Sequence, residues 1–291
     1  MREHWLYLPS VGFFLVLADV LNNAYRHRKT RILAVGAFLF LLVFYAYLTI
    51  RQNGYWRDPI SFYQRTLRYT PDNYKDYINM GNAYRHVKNY EGAIASYKKA
   101  IEIEPTVKEA YNNLGVAYKE TGDERNAVIY FKKTIEIDPH YETAFNGMGL
   151  VYYDSGKIEE AITAYQKAAE LDPDYSSPYY NLGNAYKAIG KAEDAIAAYK
   201  KAIEIDPNYL EALNNLACLY TSIGNNKEAI ALYQKILRID PGFISAYNNL
   251  AVAYYYDNEY NLAIKYCDRA IALGCKIKPE FLELLEPHRK K

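Results

Sequence analysis

The chain has 291 residues, 51% hydrophobic and 24% charged, enough apolar content for most of it to fold and room for two domains or one long array. Its formal net charge of +1 is unevenly placed: residues 1–57 carry seven Lys/Arg against Glu3 and Asp19, and the rest carries 28 basic against 32 acidic side chains. A basic end on a mildly acidic body excludes the broad basic footprint of a nucleic-acid binder.

The first element is the apolar run from Trp5 to Leu21, uncharged until Asp19, with Pro9 near its start and Trp5 and Tyr7 suited to a membrane interface. It reads as a membrane helix over about 5–24. A signal peptide behind Arg2 is the alternative, although no small-x-small cleavage site follows. The second element, Ile32 to Ile50, has 19 residues without a charge between Arg31 and Arg51. At 1.5 Å per residue it spans roughly 28 Å, close to the hydrocarbon thickness of a bilayer. A buried helix of a soluble domain would keep a polar face. Between the two runs stand Arg26, His27, Arg28, Lys29 and Arg31. The positive-inside rule places this cluster in the cytoplasm and the rest of the chain on the periplasmic or exoplasmic side. The margin is thin, because residues 51–65 hold three more arginines.

Residues 1–57 are thus expected to be a membrane anchor. Residues 58–73 read as the second helix of a partial repeat, an N-terminal cap. From Pro71 onward, prolines stand at 71, 105, 139, 173, 207 and 241, always 34 residues apart. A fixed period marks a repeat architecture. It divides the chain into six repeats: 74–107, 108–141, 142–175, 176–209, 210–243 and 244–277. Position 8 of these is Gly81, Gly115, Gly149, Gly183, Ala217 and Ala251, and position 11 is always Tyr. Position 20 is always Ala, from Ala93 to Ala263, and position 24 is aromatic except at Cys267. Small residues at 8 and 20 predict a close crossing of two helices. The rings at 11 and 24 fill the space beside it. Proline at 32 ends the second helix, since it cannot continue one, and the preceding Asp or Glu favours a turn. Residues 278–291 read as a short capping helix over Pro279–Glu286 and a fraying tail.

These residues, for instance YNNLGVAY at 111–118 followed by Ala127, Phe131 and Pro139, resemble the tetratricopeptide-repeat family. The resemblance implies an all-α right-handed superhelical solenoid of stacked helix pairs, each repeat packing on its neighbours. In that fold the first helices line the concave face. Position 6 places Asn79, Asn113, Asn181, Asn215 and Asn249 there, and position 5 adds Asn112, Asn146, Asn214 and Asn248. In families with this pattern, such as the repeat domain of the O-linked N-acetylglucosamine transferase, an asparagine ladder holds the backbone of an extended peptide. An amide offers a donor and an acceptor together, so it pairs with a peptide group whatever side chain follows. The alternative is that these asparagines bond between adjacent repeats without a ligand. Gly147 interrupts the row. The family's carboxylate clamp is missing, with Ile78, Thr143 and Gly147 at its positions.

Cys218, Cys267 and Cys275 form no disulfide framework, and the five histidines show no metal-ligand spacing. No catalytic constellation, metal site or cofactor motif is expected. The order of Glu3–Val16, a basic turn, an apolar helix and Trp56-Arg57-Asp58 before repeats also resembles the C-terminal part of the transmembrane-and-tetratricopeptide-repeat O-mannosyltransferases. That family places its catalytic acids in an early loop that nothing here matches. The expected function is therefore a membrane-anchored, non-catalytic scaffold for an extended polypeptide. The alternative is the substrate-recognition portion of a membrane glycosyltransferase.

Overall fold

The computed structural model describes residues 58–289 and, ahead of them, positions 19, 22, 25, 26, 32, 33, 35–41, 43–45 and 47. The chain divides into two compact units, Met1–Ala83 and Tyr84–Lys291. Among the described residues no helix is long and apolar enough to cross a membrane. The membrane helices expected over 5–24 and 32–50 fall partly or mostly outside the described residues.

In the first unit, helix α1 (Pro59–Tyr69) begins where Asp58 accepts the backbone N–H groups of Ile60 and Ser61, both at 3.2 Å. The carboxylate thereby satisfies two donors that a helix start leaves unpaired, and Pro59 stands where its missing N–H is harmless. Helix α2 (Tyr74–His86) follows, its start fixed by Asn73 Oδ1 accepting the Lys75 N–H at 3.2 Å.

The second unit is a run of helix pairs with the expected period. After α3 (Tyr90–Ile103) come α4 (Lys108–Glu120) and α5 (Glu124–Ile137), then α6 (Glu142–Asp154) and α7 (Ile158–Leu171). They continue as α8 (Ser176–Ala188) and α9 (Ala192–Ile205), α10 (Leu210–Ser222) and α11 (Asn226–Ile239), α12 (Ile244–Tyr256) and α13 (Tyr260–Ala272). Within each pair the turn needs a left-handed residue at position 15. Gly122, Gly156, Gly190 and Gly224 supply it at φ between 74° and 83°, while Lys88 and Asn258 adopt it at 59° and 65°. Only glycine takes this conformation without a steric penalty at Cβ. Between pairs, the acid at position 31 folds back on the chain: Asp138, Asp172, Asp206 and Asp240 each accept the backbone N–H two residues on, at 2.8–3.0 Å. This is the turn chemistry the Asp-Pro step predicts.

The six alanines at position 20 are fully buried. The small residue at position 8 has a more specific reason than a helix crossing. A Cβ at Gly149 or Gly183 would lie 2.6 or 2.4 Å from the Tyr165 or Tyr199 ring. In repeats 2 to 4 the position-24 ring packs against the position-8 backbone in the room that glycine leaves. In repeat 6 the smaller Cys267, fully buried and a free thiol, replaces the ring.

The array ends on α14 (Pro279–Arg289), which runs past the expected Glu286. Leu285 is fully buried. The segment expected to fray is held through Arg289: His288 stacks on Tyr260 with centroids 3.6 Å apart, and Arg289 makes a two-pronged ion pair with Asp268.

Candidate functional site

The asparagines at positions 5 and 6 lie on the first helix of each pair, and the structure separates them by burial. Asn112, Asn146 and Asn181 are buried, Asn113, Asn214, Asn215, Asn248 and Asn249 are half-buried, and Asn79, in the first unit, is exposed. Within the second unit several of them join into bonds between adjacent repeats. Asn181 Nδ2 donates to Asn146 Oδ1 at 2.8 Å, one repeat and one residue away. Asn249 Nδ2 approaches Asn214 Oδ1 at 3.4 Å with the same spacing. Asn215 finds Tyr180 in that place and donates to its hydroxyl at 3.3 Å and to Asn184 Oδ1 at 2.9 Å.

A second partner set recurs behind them. Tyr199 Oη donates to Asn184 Oδ1 at 2.7 Å, so one acceptor ties the ring of repeat 4 to the amide of repeat 5. One repeat later the same geometry uses a thiol: Tyr233 Oη and Asn249 Nδ2 both approach Cys218 Sγ, at 3.2 and 3.6 Å. The unit is therefore a triad of position 24, position 9 and position 6 of the next repeat. Sequence reasoning missed Asn184, Cys218, Tyr199 and Tyr233 as members. The signal was present, because polar residues at position 9 in repeats 4 and 5 are each followed by Asn at the next position 6.

Repeats 2 and 3 show the converse. There the triad positions hold Phe131, Val116 and Gly147, none with a side-chain hydrogen bond to give. A Cβ at Gly147 would lie 2.6 Å from the Phe131 ring, so the ring occupies the room an asparagine would need. Asn112 Oδ1, whose donor by the one-repeat-plus-one spacing would stand at 147, is buried with no hydrogen-bond partner.

Four of the five buried rings at position 24 are phenols kept neutral by their surroundings. Burial holds the hydroxyls of Tyr165, Tyr199 and Tyr233 above the ordinary tyrosine range, and pushes Tyr97 up to about 12 from 10.0. Between those two values the folded chain holds a proton the unfolded chain has lost. Stability is intact below pH 10 and lost as pH rises through about 12. Melting temperature is expected to fall steeply above pH 10, and less so in Tyr97→Phe, which copies Phe131. Equal slopes by circular dichroism between pH 8 and 12 would exclude it.

At the junction of repeats 5 and 6 the first-helix face opens into a groove of about 580 Å³ lined by Cys218, Thr221, Asn226, Tyr233, Asn249 and Tyr256 among others. No charged side chain lines it. Asn226 Oδ1 is buried there without a hydrogen-bond partner. The arrangement can present uncharged donors and acceptors beside an exposed ring. Among the described residues no group of three or more His, Cys, Asp or Glu side chains is placed to hold a metal ion.

Known proteins share this architecture. Models of the tetratricopeptide repeat match residues 108–141, 177–209, 198–231 and 243–277, and a TPR repeat model matches 81–122, 149–190 and 217–258. The chain is 31% identical to MamA, whose crystal structure superposes with a TM-score of 0.53 over 57% of this chain and 91% of that one. PilF of Pseudomonas aeruginosa is 21% identical, with a TM-score of 0.63 over 75% and 97%. YrrB, described as a TPR protein with an unusual peptide-binding site, is 24% identical, with a TM-score of 0.55 over 68% and 100%. Over 94 residues the chain is 32% identical to the protein O-mannosyl-transferase Tmtc2 of Drosophila melanogaster, a match to 32% of this chain and 10% of that protein. The chain thus spans about a tenth of the curated relative it matches.

Proposed function

The chain belongs to the tetratricopeptide-repeat family, and from that premise we propose that it is a membrane-anchored scaffold whose first-helix face binds an extended, unstructured polypeptide. The observation that carries this reading is the uncharged groove at repeats 5 and 6, to which Asn249 of the half-buried amide row contributes. A peptide backbone offers N–H and C=O groups and no charge, which suits such a lining. The cross-repeat bonds hold the amides in place before a ligand arrives, which lowers the ordering cost of binding. In this reading the buried Asn112, Asn146 and Asn181 maintain the frame. Asn113, Asn214, Asn215, Asn248 and Asn249 face the peptide.

The test uses a fluorescein-labelled, reduced and carboxymethylated α-lactalbumin as the unfolded polypeptide. Asn113→Ala with Asn248→Ala removes two contacts of about 0.5–1.5 kcal/mol each, a weakening of roughly 5- to 150-fold, in a variant whose melting temperature is checked against wild type. Equal affinity in wild type and an intact double mutant would refute the reading.

The anchor is supported by the uncharged run 32–50 and by exposure. Helical Ile32, Leu33, Phe40 and Val43 are 85%, 74%, 69% and 69% exposed. At 3.6 residues per turn, Ile32, Leu33, Val35 and Phe38 face different sides of the helix, an apolar surface all round that water does not favour. With the basic cluster 26–31 cytoplasmic, the repeats lie outside the cytoplasm. Alkaline phosphatase fused at Lys291 in a bacterial host is expected to be active, and green fluorescent protein at the same site dark. The opposite pair of results overturns the orientation.

A second reading, the substrate-recognition portion of a membrane O-glycosyltransferase, is favoured by the 94-residue identity to Tmtc2. Site-specific crosslinking from the groove in intact membranes separates the two. Adducts with a polytopic glycosyltransferase support the second reading, and adducts with unfolded chains alone the first.

A further inference from the structure

Repeats 2 and 6 each close the outer seam between their two helices with a set of three tyrosines. In repeat 2, Tyr130 of α5 stacks on Tyr118 with centroids 5.3 Å apart and reaches Tyr111 at 6.4 Å. In repeat 6, Tyr266 of α13 does the same, 5.5 Å from Tyr254 and 6.4 Å from Tyr247. The central ring comes from position 23 and the outer two from positions 4 and 11. Repeat 3 keeps the outer two as Phe145 and Tyr152 but has Ala164 at position 23. Where the central ring would stand there is a groove of about 660 Å³, lined by Phe145, Met148, Tyr152 and Ala164 and edged by Glu160 and Glu170. This volume lies within the roughly 300–1,000 Å³ of ordinary ligand pockets.

We propose that the repeat 3 groove is a second binding site, which takes the aromatic side chain, Tyr or Phe, of a partner polypeptide. The two filled copies of the seam in the same chain identify the occupant: an aromatic ring between the rings of positions 4 and 11, in offset or tilted stacking. Met148 in its lining adapts its shape to an incoming ring and favours contact with one. The rim adds a preference. Glu160 and Glu170 outnumber Lys167, whose Nζ is 3.0 Å from Glu170 Oε2. A basic residue beside the aromatic therefore suits the site and an acidic one does not. The groove is built from one helix pair alone, so it does not depend on the asparagine row.

The chain has three methionines, at 1, 80 and 148, so ¹³C-methyl labelling of the full chain in lipid nanodiscs gives a small, assignable set of signals. Met148 is assigned by Met148→Leu. Titration with acetyl-Arg-Tyr-amide at millimolar concentrations is expected to move the Met148 methyl by ring current, saturably. Acetyl-Arg-Leu-amide should bind at least tenfold more weakly, and acetyl-Glu-Tyr-amide about threefold more weakly. Ala164→Tyr fills the groove from within, as Tyr130 and Tyr266 do, and should abolish the response without lowering the melting temperature. If that variant loses helicity, Ala164→Leu, which copies Leu232 at the same position of repeat 5, serves as the blocking variant. No shift in wild type, equal response to the leucine probe, or an undiminished response in the folded blocking variant each overturns the proposal. An unchanged Met148 response in Asn113→Ala/Asn248→Ala is expected, and its loss would place the probe on the asparagine row instead and overturn the proposal.

Discussion

Gly183→Leu is expected to lower the melting temperature of the array by about 2–12 °C. The estimate combines an overpacking cost of roughly 1–3 kcal/mol with about 2–4 °C per kcal/mol for a domain of this size. The cause is local. A Cβ at 183 would already lie 2.4 Å from the Tyr199 ring, and that ring has no exposed surface into which to move. Its hydroxyl is tied to Asn184 at 2.7 Å, so displacing the ring also pulls on the acceptor shared with Asn215. Gly183→Ala brings that same Cβ against the ring and should also lower the midpoint, by less than leucine does, although repeat 5 accommodates Ala217 at the same position beside a buried Tyr233. Because each repeat packs mainly on its neighbours, hydrogen exchange should accelerate first in α8 to α10 and least in α13. Uniform acceleration would mean that the array melts as a single cooperative block. An unchanged midpoint for the leucine variant would mean that the ring does not lie on the glycine.

The limits of what the sequence discloses follow from the same contacts. The 34-residue proline period set the repeat boundaries, and the first helices begin on them at Lys108, Glu142, Ser176, Leu210 and Ile244. A period is legible because every copy solves the same packing problem with the same residue types. Position 8 was legible as small, but its nearest neighbour was not, because a Cβ at Gly183 would first meet a ring sixteen residues on. The amide row was legible as a row. Its division into buried frame and half-buried face was not, because that depends on which side chain stands 31 or 35 residues away. Asn215 divides its amide between Tyr180 and Asn184, and Gly147 leaves Asn112 without a donor. The groove of repeat 3 rests on one alanine where two other repeats have tyrosine, a difference that matters only once the three rings are seen together.

The Asn146–Asn181 pair makes the second large effect. Asn181→Leu removes the donor that reaches Asn146 Oδ1 at 2.8 Å, between two buried side chains. A buried acceptor left without a partner costs about 1–3 kcal/mol, more than the hydrogen bond itself contributes net. The variant should therefore melt about 2–12 °C lower, even though leucine branches as asparagine does and is more apolar. Changing both partners, Asn146→Leu with Asn181→Leu, removes the orphaned acceptor along with the donor. Replacing both with apolar groups of similar shape can be close to neutral, so the double variant should recover part of the loss, and a double-mutant cycle measures the coupling. Asn112 bears on the size of the effect, because the chain already tolerates one such orphan at the junction of repeats 2 and 3. There the apolar Phe131 fills the space beside it. If Asn181→Leu keeps the wild-type midpoint but loses affinity for an unfolded polypeptide, the buried amide acts on the ligand after all, and the frame attributed to it must be sought in Tyr180, Asn184 and Asn215.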